Sequence, residues 1–178
     1  SRRQRQMCIR DSNITAHLLE KGRTLPGFMG DIGYAQSNRE RYEGFCQALM
    51  DAGKTPNPSL CLTTPLGIDS YREEIDSFLS SLSRMPDAFV CASDYVACIL
   101  MQLLEKRGLR VPEDVAVSGF DNNIEDLLAE NLTTVQVFNE ELGSRLALQI
   151  LYRIKYPHTP HEVTYLESKV LYRASTGD

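Results

Sequence analysis

The sequence has no CxxC pair, and its five cysteines, at positions 8, 46, 61, 91 and 98, make an odd count. Neither a redox dithiol nor a complete disulfide framework follows from that spacing. Cys91 falls in an apolar strand pattern and Cys46 and Cys98 in helical ones, so reduced thiols in a cytosolic chain are the expectation. Histidine is scarce, with three residues. His158 and His161 flank Pro160 in a loop pattern and His17 falls in a helical one, so no metal-ligand pair is expected. No apolar run is long enough to span a bilayer, and no secretory leader is expected. A net charge of -5 gives no overall basic footprint for nucleic acid. Catalytic signatures are missing too. Gly27, Gly30 and Gly33 have the wrong spacing for a dinucleotide loop, neither a GxSxG nor a P-loop occurs, and the pairs Glu73-Glu74 and Glu140-Glu141 face apart on their helices. A non-enzyme without metal or cofactor is expected.

What is present is an alternation of short apolar runs with amphipathic helical patterns. The 178 residues are 42% hydrophobic and 24% charged, ordinary for a soluble domain. Parallel strands are predicted at about 25–29, 59–63, 87–92 and 114–119. Between them, helices are predicted from Ser37 to near Gly53, from Asp69 to Leu82 and from Asp94 to Arg107, with a first one over 14–21 that stops at Gly22. Ser37 and Glu40 have the spacing of a capping box. Farther on, 133–137 reads as a strand, 140–154 as a helix and 163–171 as an extended segment, with a short acidic segment around Glu125-Asp126 between. The βα alternation predicts an α/β fold with right-handed crossovers.

Two of the apolar runs end in polar groups, Ser93-Asp94 after one and Asp121-Asn122 after the other. Residues just past the carboxyl ends of parallel strands are where open sheets bind ligands. Several motifs recur in order around them: Ser37-x-x-x-Arg41-x-x-Gly44-Phe45; Pro86-Asp87-Ala88 with its apolar run to Ala92-Ser93-Asp94; Gly108-x-x-Val111-Pro112-x-Asp114; Gly119-Phe120-Asp121; Leu132-Thr133-Thr134-Val135; and Arg173-Ala174-Ser175-Thr176. Together they resemble the effector-binding domain of the lactose-repressor/galactose-repressor family of bacterial transcription regulators, over roughly residue 13 to the end.

The resemblance implies a periplasmic-binding-protein-like (type I) open parallel sheet flanked by helices, incomplete here and consisting mainly of the C-terminal lobe. Residues 13–135 are expected to form that lobe, 136–160 to return to an N-terminal lobe, and 161–178 to cross back. Residues 1–12 match nothing in the family and read as a non-native or disordered leader, or as a basic arm.

Arg41 corresponds to the family's effector-contacting arginine; a solvated surface arginine is the bland alternative. Asp121 corresponds to a carboxylate that accepts from ligand hydroxyls; a cap for the following segment is its alternative. Ser37 and Ser93 complete the expected effector-binding set, and Ser93 stands where the family usually has Asn, which leaves the effector's identity open. Asp94 is expected to cap its helix. The resemblance also places Ala97, Cys98 and Met101 at a homodimer interface, although a core helix shows the same stripe.

The function implied is cytoplasmic sensing of a small effector, a sugar or sugar derivative. Operator DNA would be bound only through an N-terminal domain missing from this chain, with no membrane partner. A periplasmic sugar-binding protein of a transporter shares the fold and is the second reading.

Overall fold

The computed structural model describes residues 12–67, 69–123, 130–164 and 166–178. The segment before residue 12 and the acidic segment around Glu125-Asp126 lie outside the described residues.

A helix over 12–20 (α1) leads into β1 (Pro26–Met29), α2 (Gln36–Asp51), β2 (Cys61–Leu62), α3 (Tyr71–Ser81), β3 (Ala88–Cys91), α4 (Asp94–Lys106) and β4 (Ala116–Ser118). β5 (Thr134–Gln136), α5 (Asn139–Lys155) and β6 (Lys169–Leu171) complete the chain. The first four strands form one sheet in the order β2-β1-β3-β4, and every pairing in it is parallel. Each lies inside its predicted range. β2 is shorter than its range because Pro58–Leu60 forms a 3-10 turn instead, with the Asn57 side chain accepting from the Ser59 N–H at 3.0 Å.

Every residue of β1, β3 and β4 is buried, as expected for strands covered on both faces. The pleat sorts their side chains. Phe28, Ala88 and Val90 face Ile14, Leu18 and Phe45 from α1 and α2. Met29, Phe89 and Cys91 face Ile75, Leu79 and Leu100 from α3 and α4. The result is a three-layer αβα lobe.

Motif residues outside the cleft serve this frame. The Asp87 carboxylate accepts from the Thr24 N–H at 2.6 Å and the Leu25 N–H at 2.9 Å, tying the start of β3 to the start of β1. Asp114 holds Arg110 through two bonds to its guanidinium, at 2.9 and 2.8 Å. Gly53 and Gly108 adopt φ of 71° and 72° and close α2 and α4 with the paired backbone bonds of a Schellman motif.

Two local expectations need correction. Ser37 does not cap α2. The helix starts one residue earlier, at Gln36, and no side chain caps it. The chain turns into α2 through Asp31, whose carboxylate takes the N–H groups of Gly33 and Tyr34 at 2.7 and 3.1 Å. Nor is Asp94 the cap of α4. Ser93 holds that place, its hydroxyl accepting from the Val96 N–H at 3.3 Å, and Asp94 is the first helical residue.

Beyond β4 the chain extends the sheet only through isolated bridges, Ser118 to Thr133 and Asp121 to Gln136. β5 then pairs antiparallel with β6, so the chain departs and returns side by side. β6 occupies only the end of the predicted 163–171 segment. α5, which leaves from β5, buries none of its residues, although Leu146, Ile150 and Ile154 recur at helical spacing and are 57%, 51% and 73% exposed.

Candidate functional site

The carboxyl ends of β1, β3 and β4 open into a concavity of about 260 Å³, lined among others by Asp31, Ser37, Asn38, Arg41, Tyr71, Ser93 and Asp121. All four residues expected to face an effector, Ser37, Arg41, Ser93 and Asp121, therefore share one surface. Its volume falls below the roughly 300–1,000 Å³ of complete ligand sites, as one wall of a cleft would.

Arg41 reaches this surface because α2 turns Phe45, Ala48 and Leu49 into the core and leaves Arg41 over the strand ends. Its guanidinium carbon lies 3.5 Å from the centre of the Phe120 ring, a cation–π contact. One terminal nitrogen donates to the Ala92 carbonyl and, at 3.3 Å, to Asn38 Oδ1; the other lies 3.4 Å from Asp121 Oδ1. The arginine is thus held in direction from its own helix and from the ends of β3 and β4.

Asp121 arrives on strained backbone. Its φ is 107° and that of Asn122 is 50°, both in the left-handed region that non-glycine residues rarely adopt. The turn is held by its surroundings. Asp121 N–H donates to the Val135 carbonyl at 3.0 Å, and the Asn122 side chain accepts from Arg173 at 3.0 Å and donates to Gln136. Burial pushes the Asp121 carboxyl up from its ordinary value, and the charge and hydrogen bond of Arg41 pull it back. An acid and a guanidinium at that distance in a half-buried cleft form a donor–acceptor pair suited to vicinal hydroxyls.

Ser93 serves two purposes, capping α4 while its residue lines the concavity. Tyr71, on α3, lies edge-on to Tyr95 with centroids 5.6 Å apart, and Tyr34 at the rim is 79% exposed. These rings present an aromatic border that sequence inspection missed, since they come from three separate segments with no shared motif. Asn38 was also missed; its place beside Arg41 in the Ser37 motif was the available signal.

Of the residues expected at a dimer interface, Ala97 is fully buried and Cys98 nearly so, both packed in the lobe's own core. Met101 packs against the edge of that core and stays partly exposed. Among the described residues no three His, Cys, Asp or Glu side chains are grouped so as to hold a metal ion, and no helix is long and apolar enough to cross a membrane.

Comparison with known proteins agrees with this architecture. Residues 15–176 match the periplasmic binding protein-like domain family. The HTH-type transcriptional repressor PurR of Aliivibrio salmonicida is 29% identical over 163 residues, which are 90% of this chain and 48% of that protein. A LacI-family transcriptional regulator from Sanguibacter keddieii superposes with a TM-score of 0.84 at 28% identity, covering 97% of this chain and 65% of the other. The transcriptional regulator CelR in complex with cellobiose superposes at 0.83 with 26% identity, covering 96% of this chain and 52% of the other. The chain spans about half the length of these curated relatives.

Proposed function

Because this chain belongs to the periplasmic binding protein-like domain family, as a fragment of a LacI/GalR-type effector-binding domain, we propose that it is the C-terminal sensing wall of a cytoplasmic transcription regulator. Its effector is a hydroxyl-rich, uncharged molecule, a sugar or sugar derivative. The observation that carries this reading is the Arg41–Asp121 pair at the strand ends. The guanidinium is already balanced by Asp121, and Asp31 adds a second carboxylate to the same surface. An anionic ligand would therefore meet net negative charge, whereas hydroxyl groups can both donate to Asp121 and accept from Arg41. The tyrosine border suits the apolar face of a sugar ring. The cellobiose-bound relative supports the ligand class.

In this reading residues 13–135 are the lobe, 136–160 carry α5 onto an N-terminal lobe, and 161–178 return. The bare apolar stripe of α5 supports that assignment. Effector binding between the lobes favours one of their arrangements, and operator affinity changes through a DNA-binding module outside this chain. The whole regulator acts as a homodimer. No disulfide joins the described cysteines, which supports a reducing compartment.

The test is calorimetry of the full-length protein against a panel of neutral mono- and disaccharides, sugar phosphates and nucleobases. A neutral sugar should bind, and Arg41→Ala should weaken it by at least about tenfold, the loss expected for a charge-assisted hydrogen bond, while leaving operator binding intact. Undiminished binding by R41A, or selection of a sugar phosphate, would refute the reading.

A further inference from the structure

Asp94 is the only charged side chain buried among the described residues, at 1% exposure, and it contacts no solvent-facing cation. Its partners lie on two segments distant in sequence. The carboxylate accepts the Thr134 hydroxyl of β5 at 2.6 Å, and the backbone N–H groups of Asn122 and Asn123 point at it. Its own N–H donates to the Phe120 carbonyl at 2.8 Å. A buried carboxylate satisfied by neutral donors at the first turn of a thirteen-residue helix is also favoured by the helix dipole.

The neighbouring glycine fits the same arrangement. A Cβ on Gly119 would stand 2.3 Å from Asp94 Oδ1 and 3.0 Å from its Cα, so the Gly119-Phe120-Asp121 motif leaves out a side chain where the carboxylate sits. Asp94 thus lies directly beneath the left-handed turn that delivers Asp121 to Arg41, and the same oxygen is bonded to the strand that leads out to α5.

We propose that Asp94 is a positioning residue, which holds the Asp121–Asn122 turn in its strained conformation and couples that turn to β5 through Thr134. It contacts no effector. The inference rests on the reading of Asp121 as an effector contact only for its biological meaning; the coupling itself stands on the hydrogen bonds. Effector engagement at Asp121 would shift the turn, and Asp94 gives that shift a direct route to the strand carrying the interlobe helix.

The experiment uses the ¹⁵N-labelled 178-residue chain and requires no effector. Asp94→Asn keeps the shape of the side chain but replaces one accepting oxygen by a donor. It should speed amide hydrogen exchange at Asn122 and Asn123 by at least about tenfold, the loss of one bond to a charged acceptor, and shift the Arg41 Nε–Hε resonance. Phe28 and Val90 amides, in the sheet centre, should keep their protection. Thr134→Val cuts only the strand branch; it should speed exchange at Val137, whose N–H donates to the Asp121 carbonyl at 3.4 Å, and shift the Arg41 signal less. Unchanged exchange at Asn122 and Asn123 with an unmoved Arg41 signal would overturn the proposal. So would acceleration spread equally over Phe28 and Val90, which would make Asp94 a support of the fold alone. Should D94N not fold, T134V decides: silence at both Val137 and Arg41 rejects the coupling. A sugar panel without binding would sink the effector reading and leave these results untouched.

Discussion

The Ser175 hydroxyl donates a 2.6 Å hydrogen bond to the Val117 carbonyl in β4, across 58 residues of sequence. The same oxygen accepts the Thr133 N–H at 2.8 Å, and the Ser175 N–H donates to the Asn131 carbonyl at 2.9 Å. Thr176 adds a 2.6 Å contact to the Thr133 hydroxyl. The Arg173-Ala174-Ser175-Thr176 motif therefore works as a buried latch that closes the sheet edge beyond β4.

Replacing Ser175 by Ala should leave the Thr133 N–H and the Val117 carbonyl without this partner in a site only 2% exposed. Two orphaned backbone groups predict a loss of roughly 2–6 kcal/mol, from about 1–3 kcal/mol for each unsatisfied buried group. Urea denaturation followed by circular dichroism checks this. A midpoint equal to that of the parent chain would contradict the latch.

Gly119→Ala should destabilise the chain by about 1–3 kcal/mol through overpacking, because the new methyl group meets Asp94 Oδ1 at 2.3 Å and Leu132 Cδ2 at 2.9 Å. The matching control is Gly143→Ala on α5, where a Cβ would meet nothing within 4 Å. There helix propensity alone predicts a gain of up to about 1 kcal/mol. Opposite shifts in melting temperature are expected for the two variants.

Burial pushes the Asp178 carboxyl up, but hydrogen bonds from Lys21, His17 and Thr176 outweigh it and hold the group down at about 2. A depressed acid contributes stability above its unfolded value of about 3.9 and loses it as pH falls through the folded one. Asp178→Asn should therefore melt below the parent chain at pH 6, and the gap should close between about pH 4 and pH 2. Thermal scans across that range provide the check, and a gap that persisted at pH 2 would assign the difference to something other than this titration.

Glutamates at Leu146 and Ile150 should cost this chain within about 0.5 kcal/mol, as at other surface positions, since α5 has no buried residue. They should also reduce its self-association, read by sedimentation velocity. In the full-length protein the same pair should be strongly destabilising. Equal tolerance in both settings would separate α5 from any interlobe contact.

Much of this architecture is legible in the sequence because its signals are local. The apolar runs of β1, β3 and β4 are short and bounded, and Gly53 and Gly108 mark helix ends through backbone conformation alone. Ser37 misled for the converse reason. A capping box is a local pattern, but Asp31 had already organised the turn into α2 from outside it. Within the cleft, Arg41 and Asp121 were found through their motifs. The left-handed backbone of Asp121 carries no residue signature, since glycine would be its usual marker. Tyr71 and Asp94 acquire their roles only through partners on other elements. The stripe containing Ala97 and Cys98 shows the limit of periodicity, which locates a buried face without telling whether the chain itself or a second copy covers it.

β5 and β6 lie side by side with three residue pairs in antiparallel register, Thr134 with Leu171, Val135 with Val170 and Gln136 with Lys169. Whatever rides on α5 is therefore tethered by a two-stranded ribbon. Sliding one strand past the other by a residue would break every pair and turn each side chain to the wrong face. Departing and returning chain are thus locked in register with each other. β5 is also held to the lobe along its length, by the Asp121 N–H on the Val135 carbonyl and by the bridge of Asp121 to Gln136.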